Sequence, residues 1–247
     1  SNIKLRFFTD ISHELRTPLT LISSPVNEVL ENEDLSATAR EHLTVVQKNA
    51  ERMLRLMNQI LDFRKIQNQK MKVLVEKTDL IPLLEKVMIN FRLIAEEKKI
   101  NFRLASELKS IYAWIDRDKF EKIFFNLISN AFKYTPSGGY IHAEIRQNAT
   151  TGTLHFRIRN SGKGLTEKQT SEIFSRFKIF ESSKLKHAGS TGVGLNLTKS
   201  LTELLGGEIT IESTLGEYVE FNVSLPPMHV NTEKESQPTE EETEVSE

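Results

Sequence analysis

The sequence predicts a helical hairpin that pairs with a second copy to form a four-helix bundle, followed by a mixed α/β sandwich domain. Two observations predict this order. Up to about residue 68, apolar residues recur at steps of three and four, as in helices that pack in bundles. After that point, short apolar strands alternate with helical segments and glycine turns. We therefore expect a hairpin at 1–70, an α/β domain at 71–228 and a tail at 229–247.

The composition excludes several classes of site and segment. The chain has no cysteine, which excludes disulfides, thiolate metal sites and a cysteine nucleophile. No apolar run approaches the roughly 20 residues that cross a bilayer. The tail holds seven Glu and one Lys, so we expect a disordered acidic linker. The remainder is only mildly basic, which does not by itself indicate nucleic-acid binding.

Two long helices make up the predicted hairpin. The first runs from residue 3 to about 31, and because the helical pattern starts so early we expect the chain to be a fragment of a longer protein. A polar turn at 31–36 ends at Ser36, a suitable N-cap. The second helix, at about 37–68, carries a heptad seam, formed by Leu43, Val46, Ala50, Met53, Met57 and Ile60. Two such helices cannot bury both apolar stripes alone, which predicts a homodimer. The alternative is that the seam packs on the downstream domain.

The α/β domain is predicted from short segments. We expect strands at 71–75, 100–104, 111–115, 141–147, 153–159, 208–213 and 218–225, and helices at 80–97, 118–134, 167–174 and 193–205. Because hairpins interleave with helices, this pattern favours a mixed sandwich over a doubly wound parallel sheet.

One histidine in the first helix has chemically suggestive neighbours. His13 lies about 200° around the helix from the apolar stripe and is expected to face solvent. The stripe consists of Ile11, Leu15, Pro18 and Ile22. A solvated surface histidine would look the same, but Glu14 can accept the Nδ1 proton and make Nε2 a better nucleophile. Pro18 removes a helical hydrogen bond and predicts a bend beside His13.

A second group of polar residues lies on the helix predicted at 118–134. Asn126 and Asn130 are four residues apart and share one face, while Lys133 and Tyr134 lie near the helix end. Amide oxygens can ligate Mg²⁺ together with phosphate oxygens and water, and a lysine can neutralise phosphate charge. The alternative interpretation of the asparagine pair is ordinary surface polarity.

Two glycine clusters complete the pattern. One follows a strand at 160–164, and the other opens a helix at 189–195. Glycines before a helix allow backbone N–H groups to approach an anion. The second cluster does not match the lysine-bearing P-loop, and it lacks the strand–helix–strand context of a dinucleotide-binding site.

Taken together, these segments resemble a known family. His13-Glu14-Leu15-Arg16-Thr17-Pro18-Leu19 closely resembles the phosphoacceptor box of sensor histidine kinases. The segments from 126 to 195 resemble the ATP-binding domain of the same kinases, within a superfamily that includes gyrase, Hsp90 and MutL. The resemblance covers residues 4–226.

The resemblance implies a role for each matching residue. Asn126 and Asn130 match the Mg²⁺-associated asparagines, Lys133 a phosphate contact and Tyr134 an aromatic residue against adenine. Thr17 matches the position that orients water for dephosphorylation of a response regulator. A mobile lid would span about 178–191. The other implied ATP-binding residues are Asn160, Gly162, Gly164, Arg176, Gly189, Thr191, Gly192, Gly194 and Leu195.

The implied activity is ATP-dependent autophosphorylation of His13, helped by Glu14, and relay to an aspartate of a receiver domain. The resemblance places the chain in the cytoplasmic portion of a membrane-anchored bacterial sensor, without direct membrane or nucleic-acid contact. Whether the receiver is fused or separate stays open. Two alternatives remain: a signalling scaffold or phosphatase-biased module with weakened kinase activity, and an ATP-driven conformational machine, which would leave His13 unexplained.

The scaffold alternative rests on one departure from the family pattern. The first glycine box normally begins with Asp, which accepts a hydrogen bond from the adenine amino group, whereas this chain has Asn160. Neutral hydrogen bonds contribute about 0.5–1.5 kcal/mol, against about 1.5–3 kcal/mol for charge-assisted ones. We therefore expect ATP affinity to be lower by about tenfold and not abolished.

Overall fold

The computed structural model describes residues 2–32, 34–174 and 193–229. The helices are α1 (Asn2–Asn32), α2 (Ala37–Gln67), α3 (Leu80–Ile89), α4 (Arg92–Glu97), α5 (Arg117–Tyr134), α6 (Glu167–Glu172) and α7 (Val193–Leu204). The strands are β1 (Glu76–Asp79), β2 (Asn101–Ser106), β3 (Tyr112–Ile115), β4 (Tyr140–Gln147), β5 (Leu154–Ser161), β6 (Glu208–Thr214) and β7 (Tyr218–Leu225). This order confirms a helical hairpin followed by a mixed α/β domain.

Helices α1 and α2 form an antiparallel hairpin. The Ser36 side chain caps α2 by accepting a hydrogen bond from the Ala39 N–H at 3.2 Å, as the sequence predicts. Arg16 Nη2 donates to Asn58 Oδ1 at 2.6 Å, and Gln47 Nε2 donates to Asn27 Oδ1 at 2.8 Å. The two bonds are eleven residues apart on each helix, so they fix a single register.

None of the helices in these described ranges has the length and apolarity that crossing a membrane requires.

The apolar stripes of the hairpin are only half covered within one chain. Ala50 and Met57 of the predicted seam are buried together with Leu19. Other stripe residues are 41–48% exposed, namely Leu15, Ile22, Val46 and Met53. The hairpin therefore presents a second apolar surface that its own two helices do not cover.

The α/β domain is built on a five-stranded sheet with strand order β2-β4-β5-β7-β6. Strand β2 is parallel to β4 and the other neighbours are antiparallel, while β1 and β3 form a separate antiparallel pair. Helix α5 lies against the sheet, where its buried Phe120 and Phe124 meet Phe156 of β5 at ring-centroid distances of 5.4 Å and 6.2 Å. Helices α3 and α7 flank α5.

Two predicted elements differ from the structure. The predicted strand at 71–75 is wrong, because the Leu74 N–H bonds to the Asp116 carboxylate at 2.7 Å and not to a neighbouring strand. The predicted helix at 80–97 is interrupted at Asn90 and Phe91. The interruption places the Phe91 ring 5.1 Å from that of Phe132, in a stacked arrangement within the core.

Asp116 joins the segment after the hairpin to the α/β domain. Its side chain caps α5 through the Lys119 N–H at 3.1 Å, bonds to Lys119 Nζ and accepts from Leu74 N–H. Both charged side chains of this pair are buried. Burial by itself raises the pKa of Asp116, but the hydrogen bonds from Lys119 and Leu74 outweigh it and hold the pKa below its usual value.

We expect Asp116→Ala to lower the free energy of unfolding by about 3 kcal/mol at neutral pH, because it leaves Lys119 buried without its partner. The stabilisation by a carboxylate with a lowered pKa is present above its unfolded pKa of about 3.9 and is lost as the pH falls through the folded value. Urea titrations at several pH values measure both effects.

Asp118→Ala is the matched control, because Asp118 lies on the same helix but is 70% exposed. We expect it to cost less than about 1 kcal/mol. An equal loss in both variants, or a pH-independent difference between Asp116→Ala and the original chain, would contradict the role given to Asp116.

Candidate active site

Helix α5 has one buried face and one partly exposed face. One face is buried against the sheet, and the other carries Asn126 and Asn130, both half-buried and one turn apart. Asn126 Nδ2 donates to Thr198 Oγ1 of α7 at 3.4 Å. Because the amide nitrogen is the donor, the Asn126 Oδ1 atom is the one available to a ligand.

The end of α5 meets the first glycine cluster. Lys133 and Tyr134 are exposed at this end, with Lys133 Nζ 5.2 Å from the centroid of the Tyr134 ring. Gly162, which follows β5, packs so closely that an added Cβ would lie 2.9 Å from the Tyr134 carbonyl oxygen. A glycine at 162 therefore allows the chain after β5 to approach the asparagine-bearing helix.

Asn160 and Gly164 flank this contact. Asn160 is only 2% exposed, and its Nδ2 donates to the Ser161 carbonyl at 3.2 Å. Gly164 has φ +65°, and an added Cβ would lie 2.2 Å from the Thr214 carbonyl oxygen. Positive φ and this close approach both require glycine.

The start of α7 completes the described part of the site. Thr198 Oγ1, which accepts the bond from Asn126, donates to the Gly194 carbonyl at 2.9 Å. Leu195 follows Gly194 and packs on the core. The sequence did not indicate Thr198, whose only local signal is the four-residue spacing from Gly194. The other predicted residues, Arg176, Gly189, Thr191 and Gly192, and the lid at 178–191 lie outside the described residues.

The three catalytic candidates lie on α1. His13, Glu14 and Thr17 all have helical backbone, and α1 continues through Pro18 and Pro25. Thr17 is exposed. The sequence predicts that the His13 side chain faces solvent. That side chain lies outside the described part of the structure.

The hairpin lies directly against the helices of the site. An added Cβ at Gly194 would be 3.8 Å from Gln59 Nε2 of α2. Lys122 of α5 forms an ion pair with Asp62 of α2 at 3.0 Å. The described structure therefore brings α2, α5 and α7 together, although these helices are far apart in the chain.

The chemistry of the donors suits Mg²⁺ held together with a phosphate ligand. In the described part of the chain, no three His, Cys, Asp or Glu side chains group closely enough to hold a metal. Mg²⁺ is commonly held by few protein oxygens, with phosphate oxygens and water filling the remaining positions. The Asn126 amide oxygen and its neighbour Asn130 fit that mode.

Comparison with known families agrees with this arrangement. Residues 3–69 match the model of the His Kinase A phospho-acceptor domain. Residues 115–229 match the model of the histidine kinase-, DNA gyrase B- and HSP90-like ATPases. The chain belongs to the histidine kinase family. In this histidine kinase, the first match covers both helices of the hairpin and the second begins immediately before α5.

Curated relatives of this histidine kinase match nearly its whole length. Histidine kinase P4 of Formosa agariphila is 34% identical over 226 residues, which cover 90% of this chain. Sensor histidine kinase TmoS of Ectopseudomonas mendocina is 35% identical over 91% of the chain, and sensor histidine kinase WalK of Bacillus subtilis is 30% identical over 89%. The chain spans 16%, 23% and 36% of these three proteins, respectively.

Solved structures share the fold. Full-length ShkA in complex with AMPPNP aligns with TM-score 0.73 and 24% identity over 91% of this chain and 46% of its own. Histidine kinase ThkA in complex with the response regulator protein TrrA aligns with TM-score 0.60 and 19% identity, over 90% of this chain and 61% of its own. At these identities, the likeness establishes the fold alone.

We expect Asn160→Asp to tighten ATP binding by about tenfold, because a charged acceptor forms a stronger bond to the adenine amino group than an amide oxygen does. The substitution also removes the bond from Asn160 Nδ2 to the Ser161 carbonyl. Calorimetric titration with Mg·ATP measures the balance of the two effects.

Asn148→Asp is the control, because it adds the same charge at an exposed turn where the Asn148 oxygen accepts from the N–H groups of Thr150 and Thr151. Its ATP affinity is expected to equal that of the unmodified chain. Equal or weaker binding by Asn160→Asp would refute the account of position 160.

Proposed function

We propose that this chain is the catalytic part of a sensor histidine kinase, which phosphorylates His13 with ATP and passes the phosphoryl group to a receiver-domain aspartate. The supporting observation is the convergence of α5, the end of β5 and α7 beside the hairpin that carries His13. We assign 1–70 to the phosphoacceptor hairpin, 71–228 to the ATP-binding domain and 229–247 to an acidic linker.

ATP would lie between the end of α5 and the start of α7. Asn126 and Asn130 would hold Mg²⁺, which neutralises phosphate charge when bound. Lys133 would contact the phosphates, and the exposed ring of Tyr134 would lie against adenine. The buried Asn160 would accept a hydrogen bond from the base. ShkA, which shares this fold, was solved in complex with AMPPNP, and this complex supports a nucleotide site in this chain.

The glycines would shape the ATP site. Gly162 and Gly164, which lie against the Tyr134 and Thr214 carbonyls, would allow the chain after β5 to lie close to the base. Gly189, Gly192 and Gly194, with Thr191 and Leu195, would present backbone N–H groups and the N-terminus of α7 to the phosphates. Arg176 would add positive charge. These assignments follow the family pattern.

At the phosphoacceptor, His13 Nε2 would attack the γ-phosphorus of ATP. The bond from that phosphorus to the bridging oxygen breaks, ADP leaves and phosphohistidine forms, while Glu14 accepts the imidazole proton. Such a transfer depends chiefly on positioning and charge neutralisation. The phosphoryl group then passes to a receiver-domain aspartate. In a separate phosphatase reaction, Thr17 would orient the water that hydrolyses this aspartyl phosphate and releases inorganic phosphate.

The comparisons support the remaining assignments. ThkA, which shares the fold, is complexed with a response regulator protein. TmoS and WalK are named sensor kinases, so we propose that this chain is the cytoplasmic portion of a membrane-anchored bacterial sensor. We propose no direct nucleic-acid or membrane contact for this chain.

We also propose that the hairpin forms a homodimer. The stripe of Leu15, Ile22, Val46 and Met53 leaves four large apolar side chains exposed on the hairpin, as at surfaces that bind a protein partner. Packing against a second hairpin would bury it in a four-helix bundle.

Sedimentation equilibrium at micromolar concentration is expected to give the mass of two chains. The double variant Val46→Glu/Met53→Glu is expected to sediment as a monomer, because it places charges in the buried seam of the dimer. Leu93→Glu is the control, since Leu93 is 75% exposed on the α/β domain. A monomer for the unmodified chain, or a dimer that survives the double variant, would contradict this assembly.

Labelled ATP tests the kinase against its alternatives. We expect acid-labile label on the chain and none on His13→Ala, because only phosphohistidine would carry it. His42→Ala is the matched control, since His42 is an exposed histidine on α2. Nucleotide binding without label would favour the scaffold or phosphatase-biased module. ATP hydrolysis without label would favour a conformational machine of the gyrase or Hsp90 type.

A further inference from the structure

Lys122 links the α/β domain to the hairpin. Its Nζ lies 3.0 Å from an oxygen of Asp62 on α2 and 3.0 Å from an oxygen of Asp118, one turn earlier on α5. The Asp62 side chain is 17% exposed and that of Lys122 is 40% exposed, so the pair is partly shielded from water. The Asp118 bond lies within one helix, whereas the Asp62 bond joins two domains.

The register of α1 against α2 shows where this contact lies along the long axis of the hairpin, which we call its height. Asn58 lies opposite Arg16. Because the helices are antiparallel, Asp62, four residues after Asn58, lies level with Ser12, four residues before Arg16. The interdomain ion pair is therefore at the height of His13 along the hairpin.

The same face of α5 continues into the site. Asp118, Lys122, Asn126 and Asn130 follow one another at four-residue steps, so they lie along one stripe. Lys122 is thus one turn from Asn126, and Asn126 is bonded through Thr198 to the start of α7. The Lys122 contact therefore lies on the same face of α5 as the two asparagines, one turn before Asn126.

We propose that the Asp62–Lys122 ion pair positions the α/β domain at the level of His13 for phosphoryl transfer. Lys122 is a positioning residue, since it acts through the placement of α5. The inference rests on the proposed kinase function, and it adds a determinant of the transfer geometry that the residues of the ATP site do not supply.

The electrostatics favour a persistent pair. Burial by itself lowers the pKa of Lys122, but the hydrogen bonds that its ammonium group donates to Asp118 and Asp62 raise it above its usual value. Lys122 therefore stays protonated throughout the neutral range. When Asp62 is removed, Lys122 retains Asp118, so the variant loses the interdomain bond without leaving a buried charge unpaired.

The first experiment compares Asp62→Asn, Lys122→Met and the double variant. Each is expected to form phosphohistidine about tenfold more slowly at saturating ATP, because small displacements of reacting groups are costly in rate. Calorimetric affinity for Mg·ATP is expected to stay unchanged. The double variant should lose no more than either single variant, since both remove one interaction.

Asp118→Asn is the matched control, because it removes the partner of Lys122 within α5 and leaves the interdomain bond. Its rate is expected to stay within about twofold of the unmodified chain. Unchanged or faster phosphorylation in Asp62→Asn, additive losses in the double variant, or a loss of ATP affinity equal to the loss of rate would each overturn the proposal.

A second measurement does not depend on kinase activity. The chain has no cysteine, so spin labels can be placed at Glu41→Cys on α2 and Lys168→Cys on α6, with excess unlabelled chain to suppress distances between subunits. We expect a distance distribution that broadens in Asp62→Asn and Lys122→Met but not in Asp118→Asn. Unaltered distance distributions in Asp62→Asn and Lys122→Met would overturn the positioning role. If those variants broaden the distribution but the unmodified chain forms no phosphohistidine, only the kinase function is overturned.

Discussion

The buried carboxylate of Asp116 is the constraint on which much of the structure depends. It caps α5, neutralises Lys119 and holds the backbone of Leu74 in the segment that leaves the hairpin. A single side chain thereby fixes where α5 begins and where the connection from α2 arrives. Because α5 is a regular helix, its first residue also fixes the direction of every later side chain along it.

Two faces of helix α5 make different contacts. Phe120 and Phe124 anchor α5 on the sheet, while the stripe from Lys122 to Asn130 points toward the site and the hairpin. The glycine at 162 then allows the end of β5 to approach the carbonyl end of α5. The core and the site are therefore two sides of the same helix, so the packing that stabilises one also positions the other.

The hairpin and the α/β domain are joined at α2 by both charge and close packing. Asp62 faces Lys122, and Gln59 approaches the start of α7 at Gly194. Partly shielded ion pairs are directional but reversible, which suits a contact that sets the height of one domain while permitting motion between reaction steps. Val46 and Met53 are exposed on the hairpin, in the stripe that we propose to pack against a second copy.

Local periodicity accounts for most of what the sequence predicted correctly. The two long helices, the cap at Ser36 and the mixed sheet follow from spacing and turn chemistry. Prediction failed at 71–75, where an alternating apolar pattern suggested a strand but a distant carboxylate binds the Leu74 N–H. It also failed at Phe91, where aromatic packing interrupts a helix that the pattern would continue.

The sequence by itself determined which residues share a helix face, such as Asn126 and Asn130, because a helix converts spacing into direction. Only the tertiary structure decided that Asn126 meets Thr198, that Gly162 meets the Tyr134 carbonyl and that Lys122 meets Asp62. The reason is physical: contacts between residues far apart in the chain depend on how whole faces pack, and no local spacing contains that information.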